Sequence, residues 1–424
     1  MNRAVSLIVG RDDGNTERRN IIWNIIGSFL YAFASMVLSI AVIQIAGEDA
    51  GGIFTFAFST LGQHMFTIAY FGIRPFQITD TSNKYSFGEY LGLRLFTCAA
   101  ALLVGLGFIA INDYSAEKAV TIILMVSYKV IDGLADAYEA EFQRNGRLYL
   151  TGKSNAFRTI LSVGVFLTVL VSGKSLAIAS GAAVLAQIIG FLVFDVMVIR
   201  ELPQIDWTVR PGKRMKLLKD NTLLFFSVVL DFYIFSASKY AVEACMTDRD
   251  MAVFGAVFMP TSVINLVAGF VIRPFLTKMS LYWEIKDRKR FIRSIGVLSG
   301  VIGGLTVLAM GCAWFLGIPV LSLLYSNIRY ALEECRPTFM VIIFGGALNA
   351  MMSLFYYALV IMKMQKFIFG VYGIVGLMAV LLSTPLVVWG GIFGGALAYL
   401  MLTAALTVFF GLCVMLGIWS MKVK

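Results

Sequence analysis

Between Ile123 and Thr159 an apolar helix takes on Lys129, Asp132, Asp136, Glu139 and Glu141. It then passes through a short basic loop, QRNGRLYLTGK, and re-enters apolar sequence that still carries Arg158. An ionised side chain at the centre of a bilayer costs about 2.5–3.5 kcal/mol on insertion scales, so a lipid-facing stripe of this kind would cancel most of what the helix gains from Ile, Leu and Val. Lys129, Asp132, Asp136 and Glu139 fall at i, i+3, i+7 and i+10, on one side of a helix. That side has to face protein or water, so the chain must build other helices around it. It is the candidate wall of a polar cavity.

The surrounding sequence is membrane-like throughout. Of 424 residues 59% are hydrophobic and 14% charged, with a mean hydropathy of +0.83, which excludes an ordinary soluble domain. The first residues, MNRAVSLIVGRDDGNTERRN, are charged from Arg11 onward and lack a small-residue cleavage site, so they read as a short cytoplasmic tail rather than a signal peptide. The cysteines Cys98, Cys245, Cys312, Cys335 and Cys413 have neither CxxC nor Cys/His spacing, so no metal site, cofactor or disulfide framework is expected. A net charge of +10 raises the question of nucleic acid, but the basic residues cluster in alternate loops. That is the positive-inside pattern of a chain threading a bilayer, and it argues against a nucleic-acid partner.

At about 20 apolar residues per crossing, the sequence predicts an all-α polytopic protein with twelve transmembrane helices. They run from Asn20 to Ala46, Gly51 to Ile73, Glu89 to Ile111, Ala119 to Phe142, Asn155 to Ser172, Leu176 to Ile199, Asp220 to Glu243, Ala252 to Phe275, Phe291 to Leu316, Pro337 to Met362, Phe367 to Trp389 and Ile392 to Trp419. The loops and ends assigned to the cytoplasm hold 25 Lys and Arg residues; the other side holds only Lys118, Lys174, Arg249, Arg329 and Arg336. Both termini are therefore expected in the cytoplasm.

The organisation predicted is a tail (1–19), an N-lobe of six helices (20–199), a basic linker (200–219), a C-lobe of six helices (220–419) and a short tail (420–424). FGIRPF at 71–76 matches FVIRPF at 270–275, and the same offset of 199 pairs Arg94 with Arg293 and Gly105 with Gly304. The lobes are thus read as pseudo-symmetric copies in one orientation around a central cavity. They differ in chemistry: the counterpart of the acidic helix offers only Asn349 and Ser353, and the C-lobe places its charge in the seventh helix, as Asp231, Lys239 and Glu243.

Twelve spans in two halves, a second helix closing in IRPFQITD, then KYSFGEYLGLRL, and a fourth helix ending in EAEFQRNGRLYLTGKS together resemble bacterial polysaccharide-biosynthesis flippases of the multidrug/oligosaccharidyl-lipid/polysaccharide exporter superfamily. The resemblance implies a two-lobed bundle in the bacterial cytoplasmic membrane. Its function would be to flip an undecaprenyl-diphosphate-linked glycan for O-antigen or exopolysaccharide assembly, alongside glycosyltransferases and a polymerase. Twelve helices rather than fourteen argue against a peptidoglycan-precursor flippase. A multidrug or small-cation antiporter of the same architecture is the alternative, and the cations Lys129, Arg158 and Lys239 weigh against it. A membrane glycosyltransferase or polymerase would need a substantial aqueous loop, which this sequence lacks, so no enzyme is expected.

Flipping such a lipid requires groups that replace water around the diphosphate. Lys129, Arg158, Arg94 and Lys239 are the candidate substrate-binding cations. Asp132, Asp136, Glu139 and Asp231 are the candidate cavity carboxylates, with Asp231 as the candidate for coupling to a proton or sodium ion. The competing reading pairs Arg158 with Asp136 or Glu139 across the hairpin, and Lys239 with Glu243 at i, i+4. Arg74-Pro75 and Arg273-Pro274 read as helix ends, with each Arg snorkelling to the interface. Asp195 and Asn24 are further polar interior candidates, and Tyr31, Tyr128 and Tyr233 are positioned to stack on sugar rings.

Overall fold

With no water in hydrocarbon to satisfy backbone N–H and C=O groups, a chain of this composition has to close its hydrogen bonds within each segment. The computed structural model describes residues 16–80, 84–202 and 205–420, and among these it is built of helix without strand. Most of both tails lies outside the described residues, including Arg3, Arg11, Lys422 and Lys424 of the charge count, as does the Arg273 side chain. Short polar side chains start the helices: Ser86 and Glu89 form a capping box, as do Thr247 and Asp250, while Ser115 and Ser175 cap two more. Among the described residues nine helices are long and apolar enough to cross a membrane, by length and composition, as expected of a multi-pass membrane protein. The acidic helix, Ala116–Arg144, is long enough, but its charges keep it out of that set.

The chain divides into two compact units, Met1–Val229 and Leu230–Lys424. The first contains α1 (Thr16–Ala46), α2 (Glu48–Phe54), a π-helical stretch (Thr55–Gly62), α3 (Gln63–Tyr70), α4 (Arg74–Thr79), α5 (Phe87–Ile111), α6 (Ala116–Arg144), α7 (Leu148–Val171), α8 (Leu176–Phe191), a π turn (Leu192–Val196) and α9 (Met197–Arg200). It also takes the first part of α10 (Pro211–Cys245). Residues 205–210 are irregular and the helix begins at Pro211, so half of the expected linker is helical.

This stretch is fixed to the first unit rather than free. Arg210 donates to Glu89 at 2.7 and 3.1 Å, the Gly88 N–H donates to the Asp206 carbonyl at 3.1 Å, and Phe225 stacks on Phe71 at 4.1 Å. Asp80 fastens the neighbouring loop. Burial alone would raise its carboxyl, but N–H bonds from Tyr85 and Lys84, the Arg144 guanidinium and the Tyr90 hydroxyl outweigh burial and hold it below the usual carboxylate range.

One crossing in this unit depends on glycine. A Cβ on Gly152 would lie 2.1 Å from the Trp23 carbonyl oxygen, and one on Gly27 would lie 2.3 Å from that of Gly152, so α1 and α7 touch backbone to backbone. Replacing Gly152 with alanine is expected to destabilise the protein by about 1–3 kcal/mol through overpacking, and with leucine to prevent folding. Thermal unfolding of the membrane-extracted variants checks this.

The second unit holds the rest of α10, then α11 (Asp248–Phe258), α12 (Pro260–Ile272), α13 (Leu276–Glu284), α14 (Arg288–Cys312), a π turn (Ala313–Gly317), α15 (Ile318–Leu324), α16 (Arg329–Glu334), α17 (Arg336–Ile361) and α18 (Gln365–Ser420). α18 runs 56 residues but breaks at Gly391, whose φ of 56° and ψ of −135° are open to glycine. This falls between the eleventh and twelfth predicted spans. An aromatic pair at i, i+4 occurs in each unit. Phe54 stacks on Phe58 at 5.1 Å and Phe254 packs on Phe258 at 5.7 Å, an offset of 200 where the Arg-Pro-Phe segments align at 199. The first unit thus has one residue more between these landmarks, and the wider π-helical stretch Thr55–Gly62 absorbs it. The second unit interrupts its helix at Met259 and Pro260.

Candidate functional site

The polar face of α6 points into the first unit. Lys129, Asp132, Asp136 and Glu139 are 2%, 4%, 6% and 3% exposed, so the cost of facing hydrocarbon is avoided by covering the stripe with α1, α3, α5, α7 and α8. Three arginines neutralise its carboxylates. Arg158, on α7, is the hub: one nitrogen donates to Asp195 at 2.9 Å and to Ser154 at 3.0 Å. The other reaches Glu139 at 3.0 Å, Asn155 at 3.1 Å and Asp132 at 3.3 Å. Arg94, on α5, donates to Asp136 at 2.9 Å and to the Ala69 carbonyl at 3.1 Å. Arg74 bonds Asp136 and reaches Glu139 at 3.4 Å and Gln143 at 3.2 Å.

The structure thus gives Arg158 the Glu139 partner of the hairpin reading, but not Asp136, and adds Asp132 and Asp195. Arg74 corrects an expectation. It does not snorkel outward, because Phe71 and Gly72 both take left-handed backbone angles, φ 52° and 66°, and turn the chain so that α4 starts with its guanidinium against the acidic stripe. The sequence reading missed Gln187, which donates to Asp132, and Ser154 and Asn155. Gln187 and Asp195 lie eight residues apart, about 80° around a regular helix, yet both reach this cluster. The π turn Leu192–Val196 takes up the extra residue and returns Asp195 to the face of Gln187.

Lys129 differs from the arginines. It has no carboxylate within ion-pair distance among the described residues. Its ammonium lies 4.0 Å from the centre of the Phe58 ring and 5.3 Å from that of Tyr31, and it reaches the Tyr31 hydroxyl at 3.5 Å. Tyr31 in turn donates to Asp132 at 3.2 Å. Asp132, Asp136, Glu139 and Asp195 share Arg74, Arg94 and Arg158, which leaves one negative charge for Lys129 to balance through a phenol. Lys129 lies near the middle of α6, about 20 Å from either end at 1.5 Å per residue. Lys129 is thus the cation of the cluster that meets its carboxylate only through a hydroxyl.

The second unit carries fewer charges in its interior. Lys239 lies over Phe258 at 4.1 Å and Phe235 at 5.6 Å, and does not form the expected ion pair with Glu243. Asp231 neighbours the hydroxyls of Tyr372 and Tyr356 and has no cationic partner within ion-pair distance among the described residues. Asn349, the counterpart of the acidic stripe, donates its amide to Asn265 at 2.9 Å. Among the described residues no group of His, Cys, Asp and Glu is arranged to hold a metal ion.

No family model matches the chain, and no curated protein matches it. Solved structures do. The lipid II flippase MurJ in an inward closed conformation superposes with a TM-score of 0.66 at 14% identity, over 93% of this chain and 87% of that one. An inward-facing multidrug resistance MATE family transporter of the MOP superfamily gives 0.60 at 11% identity, over 95% and 100%. The eukaryotic MATE transporter AtDTX14 gives 0.57 at 11%, over 98% and 95%. The chain therefore has the fold of these transporters.

Proposed function

We propose that this chain is an alternating-access transporter of the bacterial cytoplasmic membrane that flips undecaprenyl-diphosphate-linked oligosaccharide from the inner to the outer leaflet for surface polysaccharide assembly. Lys129 carries the reading. A diphosphate needs a cation that is not locked in a direct ion pair, and Lys129 is buried at mid-helix against two aromatic rings, reaching Asp132 only through the Tyr31 hydroxyl. Lys239, held over Phe258 in the same way, is a second such cation in the other unit. The fold shared with a lipid II flippase supports a lipid-linked substrate. In this reading the chain crosses twelve times with both ends in the cytoplasm, Arg158 and Arg94 hold the cluster together, and Asp231 binds the coupling proton or sodium ion. Glycosyltransferases and a polymerase would supply and use the substrate.

The second reading is a multidrug or small-cation antiporter. Asp231, a carboxylate set among tyrosines and without a cationic partner among the described residues, favours it, as does the fold shared with MATE transporters. Reconstituted vesicles separate the two. Accessibility of a short-chain polyprenyl-diphosphate oligosaccharide to an external lectin should rise only when the protein is present, and a cationic dye should not be exported. Dye export without lectin access would overturn the flippase reading in favour of the antiporter.

A further inference from the structure

The second unit holds a pocket of about 520 Å³ whose walls include Ile318, Ser322, Leu323, Arg329, Glu333 and Arg336. It lies about 45 Å along the helix from Arg288, at 1.5 Å per residue, and so at the end of this segment away from the basic residues Lys286 to Arg293. Three observations describe what would fit. Arg336 has no carboxylate within ion-pair distance among the described residues, and its guanidinium faces the Trp314 ring at 5.8 Å. Arg329 donates to Glu333 at 2.9 Å, so this pair cancels and Arg336 leaves the pocket with a net positive charge. Arg336 also opens a 26-residue helix whose N-cap, Cys335, supplies no side-chain hydrogen bond, which adds the positive end of the helix dipole.

Ser322 also lines the pocket. Beside these polar groups the surface is strongly apolar: Phe315 and Leu323 are 74% and 80% exposed, and Trp314 and Leu316 are exposed next to them. A free inorganic anion would leave that apolar surface unused. An anion carrying a hydrocarbon chain would cover it.

We infer that this pocket binds the phosphate head of a membrane amphiphile, with Arg336 and Arg329 on phosphate oxygens and the chain against Leu323 and the Trp314–Leu316 surface. The inference does not depend on the transported substrate. The phosphate could come from a glycerophospholipid or from a polyprenyl phosphate, and the test separates them.

Native mass spectrometry of the full-length protein in micelles would score adducts of dioctanoyl phosphatidylglycerol, dioctanoyl phosphatidylcholine, a short polyprenyl phosphate and inorganic phosphate. Retention of at least one anionic amphiphile is expected. It should fall about tenfold in Arg329→Gln/Arg336→Gln, the loss of charge-assisted contacts, and less in Arg336→Lys. Phosphatidylglycerol or polyprenyl phosphate as the preferred adduct names the source. Equal retention by wild type and the double variant overturns the inference, as does equal retention of the zwitterionic lipid, or an adduct formed with inorganic phosphate and with neither amphiphile. Both arginines are exposed, so the variants should elute and unfold like wild type, which keeps the comparison interpretable.

Discussion

Arg158→Ala is expected to destabilise the protein by about 3–5 kcal/mol, the cost of removing one partner from a buried charge network. For a fold whose net stability is about 5–15 kcal/mol, that is a large share of the margin, enough to lower the unfolding temperature and the amount of folded protein recovered. The size follows from the geometry. One guanidinium, 2% exposed, bonds Asp195, Glu139 and Asp132, and each of those carboxylates is itself buried. Without Arg158, Asp195 keeps only Ser154 and Asp132 keeps only Gln187 and Tyr31, none of which carries positive charge. Arg158→Lys should rescue little, since a single ammonium cannot reproduce two nitrogens that each serve two or three acceptors. Adding Asp195→Asn to Arg158→Ala should recover part of the loss by removing one uncompensated charge. Folded protein recovered from membranes and thermal unfolding in detergent are the readouts. An Arg158→Ala protein as abundant and as heat-stable as wild type would show that the ion network does not hold the first unit together.

Much of this network was legible in the sequence, and the limits have physical causes. The stripe on α6 could be read because helical periodicity is local: positions 129, 132, 136 and 139 share a face whatever surrounds them, and the bilayer leaves no cheap outward orientation. The break in α18 could be read from Gly390-Gly391 between two apolar runs. Arg74 could not be placed, because its direction depends on two consecutive left-handed residues, one of them Phe71, which a sequence does not announce. Asp195 was visible as a polar residue in an apolar helix, but its partner depended on a π turn that shifts the helical phase by one residue. Lys239 and Glu243 have the spacing of a pair, yet the ammonium lies over Phe258 from another helix, so a tertiary contact overrode the local one.

Lys129→Gln should give the opposite result from Arg158→Ala: protein that folds and is recovered normally, but with little or no flipping. The fold should tolerate it because Lys129 contributes ring contacts worth about 0.5–2 kcal/mol and one 3.5 Å hydrogen bond, not an ion pair on which several carboxylates rely. Flipping should fail because the substitution removes the buried cation of the α6 cluster that no carboxylate contacts directly, and leaves that cluster with net negative charge facing an incoming diphosphate. Losing one charge-assisted contact of about 1.4 kcal/mol would slow turnover roughly tenfold, and added repulsion would slow it further. Arg at the same position separates charge from availability. Its fork can reach Asp132 and be captured there, so Lys129→Arg should restore positive charge while restoring transport only in part. Lectin access in vesicles, beside recovery and unfolding temperature, decides the matter. Lys129→Gln with wild-type flipping would remove the diphosphate contact from the proposal, and Lys129→Gln that gains export of a cationic dye would point to the antiporter, because the same lost charge that repels a diphosphate admits a cation.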